Sequence, residues 1–310
     1  MSKTAFLFPG QGSQEVGMGR ALAEEYPVAA ETFAQADKIL DFPLSRLCFE
    51  GPEAELNDTI NTQVAIFVTS VAAWRALREM GYQVEPAYIA GHSLGEYTAY
   101  MVTNVISFAE GVRLVRERGR LMKKAGKLNF GGMAAILKLS DEQVMEICQQ
   151  VVTERTGTVQ VANYNAPGQI VISGELVAVE RAMNLAKAAK ARKVVKLSVS
   201  IAAHSELMAV VATEFEQVIQ KIPLSLPETP IVANINARPL TTIEAIQQEM
   251  AQQLTTSVRW TDTIQYMISE GVTEFVEIGP KKVLSSLLRR IDKTVKRHSV
   301  QTPEDIGKLV

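Results

Sequence analysis

The spacing of hydrophobic and polar positions changes repeatedly along this chain, and the order of the changes predicts alternating strands and helices. An apolar run at residues 4–8 ends in a Pro-Gly pair, as expected for a buried strand followed by a tight loop. Helical spacing follows, and the longest apolar segment, residues 64–74, is interrupted by two hydroxyl side chains. That segment is shorter than the ~18 residues of a membrane span, so we predict a buried helix there.

A second pattern begins at the glycine pair 131–132. The predicted elements are, in order, strand 133–139, helix 141–154, strands 158–163 and 169–173, helix 175–190 and strand 193–199. This β-α-β-β-α-β order is typical of a ferredoxin-like unit. We therefore predict a small ferredoxin-like domain, residues 128–198, inserted into a larger α/β domain formed by residues 1–127 and 199–310.

Alternation of strands and helices resumes after the predicted insertion. It consists of a strand at 230–235, a helix ending near residue 254, a strand at 274–278 and a helix after the Gly-Pro pair 279–280. These elements return the chain to the larger domain.

Composition limits the possible partners. The chain has 310 residues, and its 32 Lys and Arg against 34 Asp and Glu give a formal charge of −2, so we expect neither nucleic-acid nor membrane binding. The N-terminal residues lack the features of a signal peptide, which favours a cytoplasmic location. Cys48 and Cys148 have no paired spacing, so no disulfide and no metal site is predicted.

The motif with the clearest chemistry is Gly91-His92-Ser93-Leu94-Gly95. It has the form G-x-S-x-G, and it follows an apolar run and precedes a segment compatible with a helix. In a nucleophile elbow, a serine lies on a tight strand-to-helix turn and the helix N-terminus offers amide donors to an oxyanion. Ser93 is therefore the candidate nucleophile, and an ordinary glycine-rich helix entry is the alternative.

A serine nucleophile needs a base, and the chain has three histidines. His92 adjoins Ser93, where successive side chains diverge, and His298 lies in a basic C-terminal stretch. His204 follows the last strand of the predicted small domain, from which a loop could reach back to the motif. We predict His204 as the base, and the alternative is a helix-start residue with no catalytic task.

The group that would orient His204 stays open at this point. The only aspartate between Ser93 and His204 is Asp141, which directly follows Ser140 and has the position of a helix-start residue. The orienting group is therefore either a backbone carbonyl or an acid elsewhere in the chain.

One arginine lies on the apolar side of a helix that opens with the capping-box pattern Ser107 to Glu110. At ~100° per residue, Arg118 falls within the apolar stripe, whereas the neighbouring arginines 113, 116 and 120 face the opposite side. A buried guanidinium needs an anionic partner and binds carboxylates through two parallel hydrogen bonds. That partner is either an internal carboxylate or a carboxylate of the substrate.

Two backbone amides are candidates for an oxyanion site. The loop Gly10-Gln11-Gly12 follows the first strand, and the amide of Leu94 directly follows the candidate nucleophile. The alternative for the loop is a plain tight turn. It lacks the third glycine of a dinucleotide fingerprint, so no nicotinamide cofactor is predicted.

Together these residues resemble the malonyl-CoA:acyl-carrier-protein transacylases, a family that includes the acyltransferase domains of polyketide synthases. The resemblance covers nearly the whole chain. The motifs that carry it are Phe8 to Gln14, Gly91 to Tyr97, Arg118-Gly119, Ala162 to Gln169, His204, Gln253 ahead of Val258-Arg259-Trp260, and Glu277 to Pro280. The implied fold is a large α/β-hydrolase-like domain with an inserted ferredoxin-like small domain.

The activity that the resemblance implies is transfer of a malonyl group from malonyl-CoA to the phosphopantetheine thiol of holo acyl carrier protein. Ser93 would form a malonyl-serine intermediate with His204 as the base. The family binds no cofactor, so malonyl-CoA is a substrate and phosphopantetheine is carried by the acceptor protein. The expected partners are acyl carrier protein and coenzyme A, and the expected state is a monomer.

The resemblance also implies roles for four further residues. The amides of Gln11 and Leu94 would stabilise the oxyanion, Arg118 would bind the malonyl carboxylate, and the main-chain carbonyl of Gln253 would orient the base.

Three alternatives stay open. Residues 201–203 depart from the commonest family pattern, so a methylmalonyl-specific acyltransferase is one alternative. An acyl-thioester hydrolase that edits a polyketide synthase is another, and the pathway is either fatty-acid or polyketide biosynthesis.

Overall fold

The computed structural model describes residues 3–310, which form two four-stranded sheets and the helices that cover them. The strands are β1 (Lys3–Phe8), β2 (Tyr88–Gly91), β3 (Gly131–Leu137), β4 (Val159–Ala166), β5 (Gln169–Glu175), β6 (Lys193–Lys196), β7 (Val272–Ile278) and β8 (Lys296–Val300). The helices are α1 (Arg20–Glu25), α2 (Pro27–Leu40), α3 (Leu44–Glu50), α4 (Glu53–Leu56), α5 (Thr59–Glu79), α6 (Leu94–Val102), α7 (Phe108–Leu128), α8 (Asp141–Thr153), α9 (Leu176–Ala188), α10 (Ala209–Ile219), α11 (Ile243–Gln252), α12 (Trp260–Ser269), α13 (Val283–Ile291) and α14 (Pro303–Gly307). The chain is thus a mixed α/β protein.

The first sheet is parallel, with the strand order β2-β1-β7-β8. Parallel strands are normally covered on both faces, which explains why β1 is almost continuously apolar. Phe8 at the end of β1 pairs with Gly91 at the end of β2. The loops that follow these two strands therefore leave the same edge of the sheet, where ligands of such sheets bind.

The second sheet is antiparallel, with the strand order β4-β5-β3-β6. Successive side chains along each strand point to opposite faces of the sheet. One face packs against α8 and α9 in a separate apolar cluster, all of whose fully buried members lie within residues 134–186. The other face turns Met133 and Val171 toward the rest of the molecule.

The apolar segment 64–74 lies inside α5, which begins after the N-cap Asp58 and is buried along most of its length. The predicted buried helix is therefore confirmed. Within residues 3–310, no helix has both the length and the apolar character that crossing a bilayer requires.

The elements of residues 131–196 follow the predicted β-α-β-β-α-β order, and Ser140 caps α8 as expected. The last strand ends at Lys196 rather than at residue 199. The predicted strand at 230–235 is wrong, because only Ile231 and Val232 make isolated bridges there. The amides of Asn234 and Ile235 donate instead to buried glutamate side chains, which removes them from strand pairing.

The turn between β2 and α6 requires glycine on both sides of the serine. A Cβ on Gly95 would lie 1.9 Å from the carbonyl oxygen of Phe8, and a Cβ on Gly91 would lie 1.9 Å from the carbonyl carbon of Gly95. Both contacts are with backbone, which cannot move without shifting a strand. The glycines therefore let α6 begin directly against the end of β1.

We expect the Gly95→Ala variant to lose about 3 kcal/mol of unfolding free energy, because the added methyl group forces β1 and α6 apart. Urea denaturation followed by circular dichroism measures this loss. Gly307→Ala is the matched control, because a Cβ there meets open space. Equal stability of the two variants would contradict the packing described here.

Candidate active site

Ser93 lies at the turn between β2 and α6, with φ 51° and ψ −102°. A non-glycine residue in this region carries strain of about 1–3 kcal/mol, which the surrounding contacts must offset. The Ser93 amide donates to Oδ1 of Asn234 at 2.7 Å, and the Ser93 carbonyl accepts from Nε2 of Gln253 at 3.1 Å. The strained turn is therefore held from both sides by side chains of distant segments.

His204 lies next to Ser93, with its Nε2 atom 2.8 Å from the serine Oγ. Its Nδ1 atom lies 2.8 Å from the carbonyl oxygen of Gln253 and 3.2 Å from that of Thr256. Because carbonyl oxygens only accept, Nδ1 carries the proton and Nε2 is free to accept the proton of the serine hydroxyl. Backbone carbonyls thus occupy the place of an orienting acid, and Asp141 is the first residue of α8, as predicted.

The environment of His204 favours the neutral imidazole. Burial, followed by the nearby charge of Arg118, lowers the pKa of His204 to about 3, although its contact with the Gln253 carbonyl opposes this shift. The side chain is only 3% exposed. It is therefore unprotonated at neutral pH, as a general base must be.

The backbone of His204 is held by the antiparallel sheet. His204 has a φ of 58°, in the left-handed region, and its carbonyl accepts from Nε2 of Gln160 on β4 at 3.2 Å. Oε1 of Gln160 in turn accepts from the amide of Glu206 at 3.1 Å. Gln160 thus links the loop that carries His204 to the antiparallel sheet.

Arg118 is fully buried, as its position in the apolar stripe of α7 predicts, and it lies beside the serine. Its Nη2 atom donates to Ser93 Oγ at 3.0 Å and to Gln253 Oε1 at 2.8 Å, and its Nη1 atom donates to Gln63 Oε1. Among residues 3–310, no carboxylate forms an ion pair with it, and its Nε atom has no hydrogen-bond partner. The alternative of an internal salt bridge is therefore not observed.

The two amides predicted for an oxyanion site are both unpaired. The loop after β1 and the start of α6 leave the same sheet edge, and within the described chain neither the Gln11 amide nor the Leu94 amide donates to a protein acceptor. Leu94 is buried and its amide lies at a helix N-terminus, whereas Gln11 lies in an exposed loop. Both amides are thus free to bind an oxygen that carries negative charge.

Ser93 and His204 open into a cavity of about 390 Å³ between the two sheets. Its walls come from the loop after β1, from the antiparallel sheet and from the segment before the histidine, and they include Gln11, Met133, Asn163, Val171, Leu197 and Ile201. Two surface clefts of about 580 and 600 Å³ are larger, but Ser93 lines neither of them. The chemistry therefore belongs to the smaller, more enclosed cavity.

The other two histidines lie outside the Ser93–His204 contact. His92 Nε2 is 2.8 Å from Oδ1 of Asn165, and His298 lies on β8 beside Glu274. Within residues 3–310, no group of three His, Cys, Asp or Glu side chains is arranged to hold a metal ion.

The sequence did not reveal two residues that complete the site. Gln63 bridges the loop and the arginine, since its Nε2 donates to Gln11 Oε1 at 3.0 Å while its Oε1 accepts from Arg118. Its one signal is an amide side chain directly before the apolar segment of α5. Asn234 accepts a hydrogen bond from the Ser93 amide, but the sequence pattern predicts a strand at this position, and that strand does not form.

The chain is similar over nearly its whole length to known proteins. A family model described as the acyl transferase domain matches residues 5–309. The chain is 42% identical to the malonyl CoA-acyl carrier protein transacylase of Bacillus subtilis (strain 168), over 99% of this chain and 96% of that protein. It is 41% identical to the protein of the same name from Escherichia coli (strain K12), over 98% and 97%.

Solved structures show the same relationship. An acyl carrier protein S-malonyltransferase from Vibrio cholerae superposes with a TM-score of 0.96 at 39% identity, over 100% of both chains. A malonyl-transacylase solved in complex with a holo acyl carrier protein of a type II polyketide synthase superposes with a TM-score of 0.95 at 40% identity, over 99% of both chains.

We expect Arg118→Gln to move the acid limb of Ser93 acylation to higher pH. The positive charge of Arg118 lowers the pKa of His204, so its removal raises that pKa and the base becomes protonated at a higher pH. The measurement is the rate of serine labelling by a neutral activated ester between about pH 4 and pH 8. Arg113→Gln, on the exposed face of α7, is the control and is expected to keep its rate down to about pH 4. An Arg118→Gln profile that stays equally flat over this range would contradict the electrostatic coupling.

Proposed function

The chain belongs to the malonyl-CoA:acyl-carrier-protein transacylase family of acyl transferases, and we propose that it transfers malonyl groups from malonyl-CoA to holo acyl carrier protein. One observation carries the choice of acyl group. A buried guanidinium with no carboxylate partner in the described chain donates directly to the Oγ atom of the candidate nucleophile, Ser93. A malonyl group on that oxygen would bring its free carboxylate to Arg118.

The first half of the reaction moves the malonyl group to the enzyme. Ser93 Oγ attacks the thioester carbonyl, and its proton passes to Nε2 of His204. The tetrahedral intermediate places its negative oxygen at the amides of Gln11 and Leu94. When it collapses, the carbon–sulfur bond breaks, the coenzyme A sulfur takes the proton from His204, and a malonyl-serine ester remains.

The second half reverses these steps with a different thiol. His204 takes the proton of the phosphopantetheine thiol, and the sulfur attacks the ester carbonyl. The carbon–oxygen bond then breaks, and His204 returns the proton to Ser93 Oγ. One thioester is exchanged for another, so the steps use only protein groups and the two substrates.

Arg118 would set the specificity for a dicarboxylic acyl group. Its guanidinium can form two parallel hydrogen bonds with a carboxylate. An acetyl group offers no such partner, and a site that holds an unpaired charge rejects the analogue that lacks its counter-ion. Ile201 and Ala203 line the cavity, so their size bears on whether a methyl branch is accepted.

We propose the fold in the finer form predicted above. Residues 128–198 would be a ferredoxin-like domain inserted into an α/β-hydrolase-like domain of residues 1–127 and 199–310. The strand order β4-β5-β3-β6 and the separate apolar cluster beneath α8 and α9 support the insertion. The serine turn at the edge of a parallel sheet supports the identity of the larger domain.

The acceptor is the remaining part of the proposal. The similar malonyl-transacylase solved with a holo acyl carrier protein supports such an acceptor for this chain. The cytoplasmic location, the monomeric state and the absence of a bound cofactor stay predictions from the sequence.

We expect the protein to gain the mass of one malonyl group when it is mixed with malonyl-CoA, and to lose it when holo acyl carrier protein is added. Intact-protein mass spectrometry follows both steps, and methylmalonyl-CoA in a parallel sample tests the branched alternative. Ser93→Ala is expected to form no adduct. An adduct that decays to free acid without reaching the carrier would instead support the thioester hydrolase.

We expect Arg118→Ala to lower the rate of malonyl transfer about 100-fold or more, while acylation by acetyl-CoA changes far less. The reason is that only the malonyl group offers a carboxylate to the guanidinium, whereas the effects of Arg118 on Ser93 and His204 apply to both donors. Single-turnover acylation with each donor measures the ratio, and Arg113→Ala on the exposed face of the same helix is the control. Equal losses with both donors would contradict the proposed role of Arg118.

A further inference from the structure

Two buried carboxyl groups lie behind the active site. Glu96 on α6 and Glu249 on α11 are 0% and 1% exposed, and neither lines the cavity that Ser93 opens into. Burying a carboxyl group costs free energy, so a buried pair of acids indicates a structural or functional role. The steps described above do not use them.

The orientation of the Asn234 side chain is fixed by backbone atoms. Its Oδ1 accepts from the Ser93 amide at 2.7 Å, and its Nδ2 donates to the Gly91 carbonyl at 2.7 Å. Nδ2 and the Asn234 amide then both donate to Oε1 of Glu96, each at 2.9 Å. Oε1 of Glu96 must therefore be an acceptor.

The orientation of the Gln253 side-chain amide is fixed by Arg118. Arg118 has only donors, so Gln253 must turn its Oε1 toward Nη2 of Arg118, which lies 2.8 Å away. The Gln253 Nε2 then faces Oε2 of Glu96 and donates to it, and it also donates to the Ser93 carbonyl. Both oxygens of Glu96 therefore have to accept, which an ionised carboxylate does and an amide cannot.

We propose that Glu96 is a positioning residue for malonyl transfer: through the Gln253 amide it holds the Arg118 guanidinium in the orientation that receives the substrate carboxylate. The inference rests on the proposed function, because it takes Arg118 as the partner of that carboxylate. Glu96 touches no substrate and acts only through its neighbour.

An amide between the two charges explains how Arg118 stays charged and yet available. Burial lowers the pKa of Arg118, and Tyr97 and, to a smaller extent, the negative charge of Glu96 oppose that effect. A direct ion pair would occupy the guanidinium and compete with the substrate. With Gln253 between them, the buried charge is compensated and the place of a carboxylate partner is left for the malonyl group.

We assign the proton of this pair to Glu249 on hydrogen-bond geometry, because nitrogen donors face both oxygens of Glu96. Burial raises the pKa of both acids, and the neighbouring Glu249 raises that of Glu96 further. Both oxygens of Glu96 accept hydrogen bonds, whereas Oε2 of Glu249 has no partner within residues 3–310, so a proton fits on Glu249. The other ionisable groups that face the pair are Arg118 and the hydroxyls of Tyr97 and Tyr100. Burial raises the pKa values of the two tyrosines.

The two acids provide matched substitutions with opposite expected results. In Glu96→Gln the new side-chain carbonyl must face the donors of Asn234, so the new amide nitrogen faces Nε2 of Gln253. Both nitrogens are donors, and the hydrogen bond between the two side chains is lost. If Gln253 turns over, its nitrogen faces Arg118 instead. In Glu249→Gln the carbonyl still accepts from the amides of Asn234 and Ile235, and the nitrogen replaces the protonated oxygen.

The test is single-turnover acylation of Ser93 by malonyl-CoA and by acetyl-CoA, followed by intact-protein mass spectrometry. We expect Glu96→Gln to weaken the use of malonyl-CoA about 10- to 100-fold, mainly as a higher half-saturating concentration, and to change acylation by acetyl-CoA little. Glu249→Gln is expected to retain the malonyl preference of the wild type.

Several outcomes would overturn the proposal. These are a Glu96→Gln protein with the wild-type malonyl preference, equal losses with both donors, or the same malonyl-selective loss in Glu249→Gln. If Glu96→Gln does not fold, Gln253→Met tests the same relay from its other end, because it keeps the main-chain carbonyl that His204 uses. It should show the malonyl-selective loss, and a preserved preference would also contradict the proposal.

The wild-type sample separates the two levels of the argument. A wild type that takes no malonyl group from malonyl-CoA would contradict the proposed function itself. A wild type that does so, beside a Glu96→Gln protein with unchanged preference, would contradict the relay alone.

Discussion

The buried charge of Arg118 is the constraint on which the rest of the site depends. A guanidinium with no exposed surface loses its hydration, and the protein replaces it with neutral acceptors: the amide oxygens of Gln63 and Gln253 and the hydroxyl of Ser93. Each of these acceptors also serves another part of the site. Gln63 reaches the loop after β1, and the main chain of Gln253 orients His204.

The same arrangement sets the electrostatics around Ser93, the proposed nucleophile. A positive charge beside Ser93 Oγ favours the alkoxide character that develops during attack, and it also disfavours a second positive charge on His204. The imidazole of His204, the proposed base, is therefore weakly basic, and a carboxylate bound at Arg118 would compensate the charge of the guanidinium. Substrate charge and base strength are thus linked through one side chain.

Much of the site could be predicted from the sequence because it rests on local patterns. The G-x-S-x-G turn, the histidine after the last strand of the antiparallel sheet, and an arginine on the apolar side of a helix each carry a signal within a short stretch. The geometry brings Ser93, His204 and Arg118 into direct contact.

The supporting residues could not be predicted in this way, for physical reasons. Glu96 occupies the first turn of α6, where an acid is favourable on the surface of any helix, and only the tertiary packing buries it. The apolar run before Asn234 and Ile235 predicts a strand. In the structure, their amides donate to buried carboxyl groups and not to a neighbouring strand. Gln253 contributes a carbonyl from the end of α11, where helix carbonyls lack intrahelical partners, and no side-chain pattern marks that contribution.

The attachment of His204 through Gln160 has a mechanical consequence. The serine turn is anchored in the parallel sheet, whereas the backbone of the histidine is tied to strand β4 of the antiparallel sheet. The distance between Oγ and Nε2 therefore depends on how the two sheets pack against each other, and Met133 and Val171 of the antiparallel sheet belong to the same apolar core as β1 and β7.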